Sequence, residues 1–206
     1  MKKTLLSLAM IVLVGALAIG ATVAQFFDTE TSNGNTFTAG TLDLNVDGGN
    51  TNVVKFTVNN MHVGSQRIGT WRLRNVGSIN GFLDLQNIAV TSQENACLDP
   101  ETEAGDVTCD NPGVGQGEMQ NLVSLSKLFW DNDCDGWVGV GETSVYDGKV
   151  GSIASDYDLN RALAAGAEQC LTGQFNWWSN GASDNLGQGD SMTMDMTFEL
   201  AETTGQ

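Results

Sequence analysis

The sequence predicts an all-β protein, an antiparallel β-sandwich with one short inserted helix and long acidic loops. Short runs in which apolar and polar residues alternate recur along the chain, as in strands with one buried face. Twenty-five glycines, together with many Asn, Ser and Thr residues, separate these runs. The N-terminus resembles an export signal, and several short strands in an exported domain favour a sandwich.

The first 24 residues have the layout of a secretory signal peptide. Two lysines precede the apolar run Leu5–Ile19, and small residues follow up to Ala24, the expected cleavage point. The run is shorter than the roughly 20 residues of a membrane span, which favours cleavage over the alternative of an uncleaved anchor. Cleavage would leave 182 secreted residues, with one sandwich domain over 38–206.

Five runs are predicted as strands because residues of similar polarity recur at every second position. In the last of these runs three methionines and Phe198 would share the buried face. The segment Asn121–Trp130 fits a strand or a helix, and a strand is favoured. The five runs are Thr41–Val46, Val53–Val58, Gly69–Val76, Gly81–Thr91 and Ser191–Leu200.

One helix is predicted, over Ser155–Cys170. Ser155 can cap its first turn, and Asp158 follows three residues later. Leu159, Ala162 and Leu163 would form its apolar stripe.

The chain is strongly acidic, with 25 acidic and 9 basic residues and a formal net charge of −16. Such a surface repels nucleic acid and anionic lipid and attracts divalent cations. We therefore expect no nucleic-acid partner and, after signal cleavage, no membrane partner. The acidic loop Glu94–Glu118 is interpreted as solvated, with a second, weaker cation site or a contact to a neighbouring molecule as alternatives.

Four cysteines, an even number in an exported chain, predict two disulfides. Three pairings are possible, and Cys97–Cys109 with Cys134–Cys170 is favoured because the first pair closes a short turn-rich loop. The absence of a CxxC pair argues against a zinc site.

The segment DNDCDGWVGVGE matches the calcium-loop pattern D-x-[DN]-x-[DN]-G-x₅-E. Aspartates occupy three alternate positions, a glycine allows a sharp turn, and a final glutamate can supply two oxygens. Hard oxygen ligands in this number suit Ca²⁺ better than Mg²⁺ or Zn²⁺. An Asp/Gly-rich turn without a metal is the alternative. The predicted ligands are Asp131, Asp133, Asp135, the backbone carbonyl of Trp137, and Glu142.

The sequence does not predict an enzyme. His62 is the single histidine, and the chain has no HExxH motif, nucleophile elbow or phosphate-binding glycine loop. Trp177 and Trp178 could stack on sugar rings, although adjacent tryptophans are interpreted as one core and one surface residue. A monomeric, calcium-stabilised polysaccharide-binding module and a surface-layer or adhesin component therefore remain alternatives to the function inferred below.

Three segments carry a resemblance to a known family: QFFDTETSNGNTFTAGTLDLNV after the cleavage point, WRLRNVGSINGFLDL, and the closing GDSMTMDMTFEL. They resemble the TasA/camelysin family, whose exported subunits build extracellular fibres in bacteria and archaea. The mature length and acidity also resemble those of the calcium-dependent cannula subunits of hyperthermophilic archaea.

The resemblance implies a jelly-roll sandwich that assembles by donor-strand exchange, in which the N-terminal segment of one subunit completes a sheet of the next. The donor would be residues 25–37, with Phe26, Phe27 and Phe37 as apolar anchors. Such head-to-tail contacts do not close, so they generate filaments or tubes from this chain and from related subunits. A flexible leader is the alternative. The protease activity ascribed to some family members is not implied, because the chain lacks a metal-protease motif.

Overall fold

The computed structural model describes residues 39–50 and 61–205. The predicted signal peptide, the predicted donor segment 25–37 with its three phenylalanines, and the predicted strand Val53–Val58 lie outside these residues. The predicted all-β fold is confirmed. The described part of the chain forms nine strands in two antiparallel sheets, with a few short helical turns.

The first sheet has five strands, and its central strand is β8. The strands are β1 (Leu44–Val46), β2 (Gln66–Asn75), β5 (Val123–Asp131), β6 (Thr143–Lys149) and β8 (Glu168–Trp177). Their order is β1-β2-β8-β5-β6, and every neighbouring pair is antiparallel. The predicted strands in β1, β2 and β5 are present, although residues 119–122, before β5, are helical.

The second sheet is built around β3. Its strands are β3 (Gly81–Glu94), β4 (Gly113–Val114), β7 (Tyr157–Leu163) and β9 (Ser191–Ala201). β9 pairs with β3 along most of its length, from Phe82 opposite Ala201 to Gln93 opposite Ser191. β7 and β4 pair near the two ends of β3. The strands predicted over Gly81–Thr91 and Ser191–Leu200 are therefore present.

The two sheets pack against one another through a single apolar core. Leu73 of β2 and Leu83 of β3 are fully buried in it. Trp71 of the first sheet contacts Phe198 of the second, with ring centroids 5.9 Å apart. This packing of two antiparallel sheets is that of a β-sandwich.

The helical turns are short and lie between strands. They are α1 (Asp99–Ala104), α2 (Met119–Leu122), and 3₁₀ turns at Val150–Ser152 and Gly181–Gly187. Among the described residues, no helix has the length and hydropathy to span a bilayer.

The predicted helix over Ser155–Cys170 is wrong. The segment forms β7, a turn, and the start of β8. Gly166 adopts φ 76° in this turn, and its N–H donates to the carbonyl of Asn75. The helix-favouring Leu and Ala residues are placed in strands and a turn because pairing with β3 outweighs their weak intrinsic preference.

Candidate metal centre

The loop between β5 and β6 lies over the outer face of the five-stranded sheet. Cys170, Thr172, Gln174 and Asn176 alternate along β8, so their side chains point away from the face that carries Leu171. The Cys134–Cys170 disulfide ties the loop to this face. Gln174 Nε2 also donates to the loop carbonyl of Gly136 over 2.8 Å. The loop is thus anchored to the most central strand of its sheet.

Asp131 ends β5 and is fully buried. Its Oδ2 accepts hydrogen bonds from the Thr172 hydroxyl at 2.7 Å and from the Gly136 N–H at 2.9 Å. Its Oδ1 accepts from the Asp135 N–H at 3.3 Å. Burial alone would raise the pKa of Asp131, but the hydrogen bonds from Thr172 and Gly136 hold it below its usual value. Asp131 is therefore a carboxylate under neutral conditions.

The chain reverses sharply after Asp131. Gly136 adopts φ 87°, and Cys134 adopts φ 60°. A β-carbon on Gly136 would lie 3.3 Å from a methyl group of Ile68 in β2, so both the backbone angle and the close packing favour glycine. This reversal is what the glycine of the calcium-loop pattern predicts.

The side chain of Glu142 contacts the backbone at the start of the loop. Its Oε1 accepts from the Asn132 N–H at 2.8 Å, and its Oε2 accepts from the Gly139 N–H. Carboxylate oxygens of Asp131, Asp133 and Glu142 all lie within 4.8 Å of one another. The carboxylates of Asp131, Asp133 and Glu142, the first, second and last acidic residues of the motif, therefore converge on one point.

Asp135 is not in this convergent group of carboxylates. Asp135 Oδ1 accepts from the Trp137 N–H at 2.7 Å, which stabilises the turn. Trp137 itself is 57% exposed. Partial desolvation and the adjacent charge of Asp135 raise the pKa of Asp133, with a smaller contribution from Glu142. Asp135 is close enough to raise the pKa of Asp133, but its Oδ1 accepts a backbone hydrogen bond from the Trp137 N–H.

This arrangement can bind a hard cation. Three carboxylates meet where the chain offers several oxygens and no nitrogen or free sulfur, since Cys134 is in a disulfide. Carboxylate and carbonyl oxygens are the ligands that calcium prefers. Thr172 and Gln174 position the loop but lie about 40 residues further along the chain, where no local motif indicates them.

The other candidate residues lie elsewhere in the fold. Trp177 is buried, and its indole N–H donates to Asp184, whereas Trp178 is 57% exposed. The ring of His62 is within hydrogen-bonding distance of the Ser65 hydroxyl, at 3.2 Å. The second pair of cysteines, Cys97 and Cys109, forms the other disulfide.

Comparison with known proteins gives one family match. A family model described as camelysin metallo-endopeptidase matches residues 1–119, more than half of the chain. No curated protein matches the sequence.

Proposed function

Because the chain belongs to the camelysin family, as its resemblance predicts, we propose that it is a secreted structural subunit that polymerises by donor-strand exchange. The proposed donor is residues 25–37, exposed as the new N-terminus after signal cleavage. The proposed assembly is a head-to-tail filament or tube, stabilised by calcium at the β5–β6 loop and by two disulfides.

The observation that best supports strand exchange is the partial burial of the apolar face of β9. Met192, Met194, Met196 and Phe198 contact the core, yet they are only half-buried. Among the described strands β9 pairs with β3 alone, so no described strand lies along its other edge. An extended apolar segment bound along this edge would bury the methionines and form backbone hydrogen bonds with β9.

Calcium fits this proposal through charge. Mature subunits would carry a net charge of −18 rather than −16, because the signal peptide contains two lysines and no acidic residue, and they would repel one another. A bound divalent cation lowers this repulsion and fixes the β5–β6 loop. Extracellular calcium modules often bind with dissociation constants of about 10⁻⁴–10⁻³ M, which suits a structural ion.

Removing the donor should abolish assembly. We expect a mature chain lacking residues 25–35 to stay a folded monomer. Its own sandwich domain is intact, but it has no donor segment with which to complete the sheet of a neighbouring subunit. Electron microscopy and size-exclusion chromatography would measure this. A synthetic peptide of residues 25–37 should bind the truncated protein, and the same peptide with Phe26→Ser and Phe27→Ser should not. Normal assembly of the truncated chain would contradict strand exchange.

Calcium should control assembly of the intact mature chain. We expect filaments or tubes on addition of Ca²⁺ and none in EDTA. Glu142→Gln should raise the calcium concentration needed by at least about tenfold, because it weakens the convergent carboxylate group. Glu103→Gln, which removes the same charge from an exposed position, is the matched control. Equal calcium requirements for the two variants would exclude the loop as the controlling site.

The family description makes endopeptidase activity a second candidate. A peptidase would release fragments from an unfolded substrate such as casein, and EDTA would stop this release.

The exposed Trp178 favours a third candidate, a monomeric polysaccharide-binding module. Such a module would stay a single small species with and without calcium, and Trp178→Ala would abolish glycan binding.

A further inference from the structure

A second group of carboxylates converges outside the β5–β6 loop. Four of its members lie within residues 94–118, and the fifth, Asp190, comes from a distant part of the chain. Glu94 is the last residue of β3, and Glu101 lies in α1. Asp106 follows α1, Glu118 precedes α2, and Asp190 precedes β9. We call these five residues the inner carboxylate cluster.

The cluster contains buried oxygens that lack a partner. Glu94 is 1% exposed and Glu101 is fully buried, so the interpretation of these two residues as part of a solvated loop is wrong. Both oxygens of Glu94 and Oε1 of Glu101 have no hydrogen-bond partner. The same holds for one oxygen each of Glu118 and Asp190. Buried carboxylate oxygens are normally paired, so this concentration requires an explanation.

The carboxylate groups of the cluster lie close together. Oxygens of Glu94, Asp106 and Glu118 are within 4.8 Å of one another. A Glu94 oxygen and a Glu101 oxygen are also within 4.8 Å of each other. Glu94 also lies close enough to Asp190 for a hydrogen bond when one of the two carboxyl groups is protonated, whereas two carboxylates have no proton to share. Glu94 is therefore the central member of the cluster.

Backbone N–H groups hold one oxygen each of Asp190 and Glu101 in place. Asp190 Oδ2 accepts from the Glu118 N–H at 2.6 Å, and Glu101 Oε2 accepts from the Leu98 N–H at 2.6 Å. A β-carbon on Gly117 would lie 2.7 Å from the backbone of Gln93 and 3.0 Å from the Asp190 carboxyl carbon, so glycine permits this close approach.

The electrostatics show that the carboxylates repel one another. Burial, followed by repulsion from Asp190, raises the pKa of Glu94 to about 7. Burial, followed by repulsion from Asp106, raises the pKa of Glu118 to about 7 as well. Buried charges of one sign are costly unless protons or a cation neutralise them.

We propose that Glu94, Glu101, Asp106, Glu118 and Asp190 form a second calcium site, separate from the β5–β6 loop. The donors are all oxygens, since Cys97 beside the cluster is in a disulfide. Calcium takes 6–8 oxygen ligands and tolerates irregular geometry, which matches a cluster drawn from five positions. The ion would join β3, α1, α2 and the start of β9.

Counting bound ions on the intact, disulfide-bonded mature chain tests this proposal. Native mass spectrometry after addition of Ca²⁺ should give at least two ions for the wild type. Glu94→Gln combined with Glu101→Gln should bind at least one ion fewer. Glu103→Gln, a neutralising change at an exposed position of α1, should bind as many as the wild type.

A second pair of variants separates this site from the loop. Asp133→Asn with Glu142→Gln should lose the loop ion and keep the ion of the inner carboxylate cluster. If the double glutamine variant at 94 and 101 does not fold, Glu118→Gln replaces it with the same expected loss. The proposal is overturned if the cluster variants bind as many ions as the wild type. It is equally overturned if the loop variant binds none, whereas the loop proposal fails if the loop variant retains every ion.

Discussion

Replacing Asp131 by alanine should lower the free energy of unfolding by about 2–4 kcal/mol, even in EDTA. The Asp131 carboxylate is fully buried and accepts from the Thr172 hydroxyl and the Gly136 N–H. Alanine leaves the buried Gly136 N–H without its acceptor and removes a charge-assisted bond to Thr172. Urea denaturation of the mature protein in excess EDTA would measure the effect.

Asp133→Ala is the matched comparison. Asp133 is exposed and accepts a single long hydrogen bond, from the Asp135 N–H at 3.4 Å. Its replacement should leave the free energy of unfolding in EDTA nearly unchanged, because an exposed side chain with one long hydrogen bond contributes little to stability. In calcium, both variants should lose the stabilisation contributed by the loop ion. Equal, small effects of the two variants in EDTA would mean that Asp131 does not stabilise the fold independently of a metal.

The β5–β6 loop was predictable from the sequence alone. The ligands of a calcium loop are contiguous, so their spacing alone indicates the site, and the sharp turn needs a glycine at one fixed place. The same spacing could not indicate Thr172 or Gln174, because sheet pairing between β5 and β8 brings them to the loop. The inner carboxylate cluster is less predictable still, since Glu94 and Asp190 meet only through the pairing of β3 with β9.

The fold was predictable where strands have one exposed face. β9 alternates between exposed and half-buried residues along its length, and its sequence alternates in the same way. β8 was not predicted, although Thr172, Gln174 and Asn176 alternate with Leu171, Phe175 and Trp177, because the predicted helix already included its first three residues. β7 was mistaken for a helix because Leu and Ala favour helices locally, whereas its pairing with β3 is a long-range effect.

The stability of the metal-free protein should fall as the pH rises from about 5 to about 8. Folding raises the pKa of Glu94 from 4.5 to about 7, first through burial and then through repulsion from Asp190. The folded state therefore binds more protons than the unfolded state between these values, so the free energy of unfolding decreases with rising pH in this window. A shift of this size corresponds to about 3 kcal/mol, because one pKa unit is about 1.4 kcal/mol. Urea denaturation in EDTA at several pH values would measure it.

Calcium should flatten or reverse this pH dependence, because the ion binds the deprotonated carboxylates and replaces the protons. General repulsion in so acidic a chain also disfavours folding at high pH, so the comparison must be made between variants. In EDTA, Glu94→Gln with Glu101→Gln should have a smaller pH dependence than the wild type, and Glu103→Gln should have the same one. Identical pH dependence in all three proteins would mean that the inner carboxylate cluster does not titrate on folding. The raised pKa values and the unpartnered oxygens express one physical fact: several carboxylates share a space that is stable only when protons or a cation neutralise them.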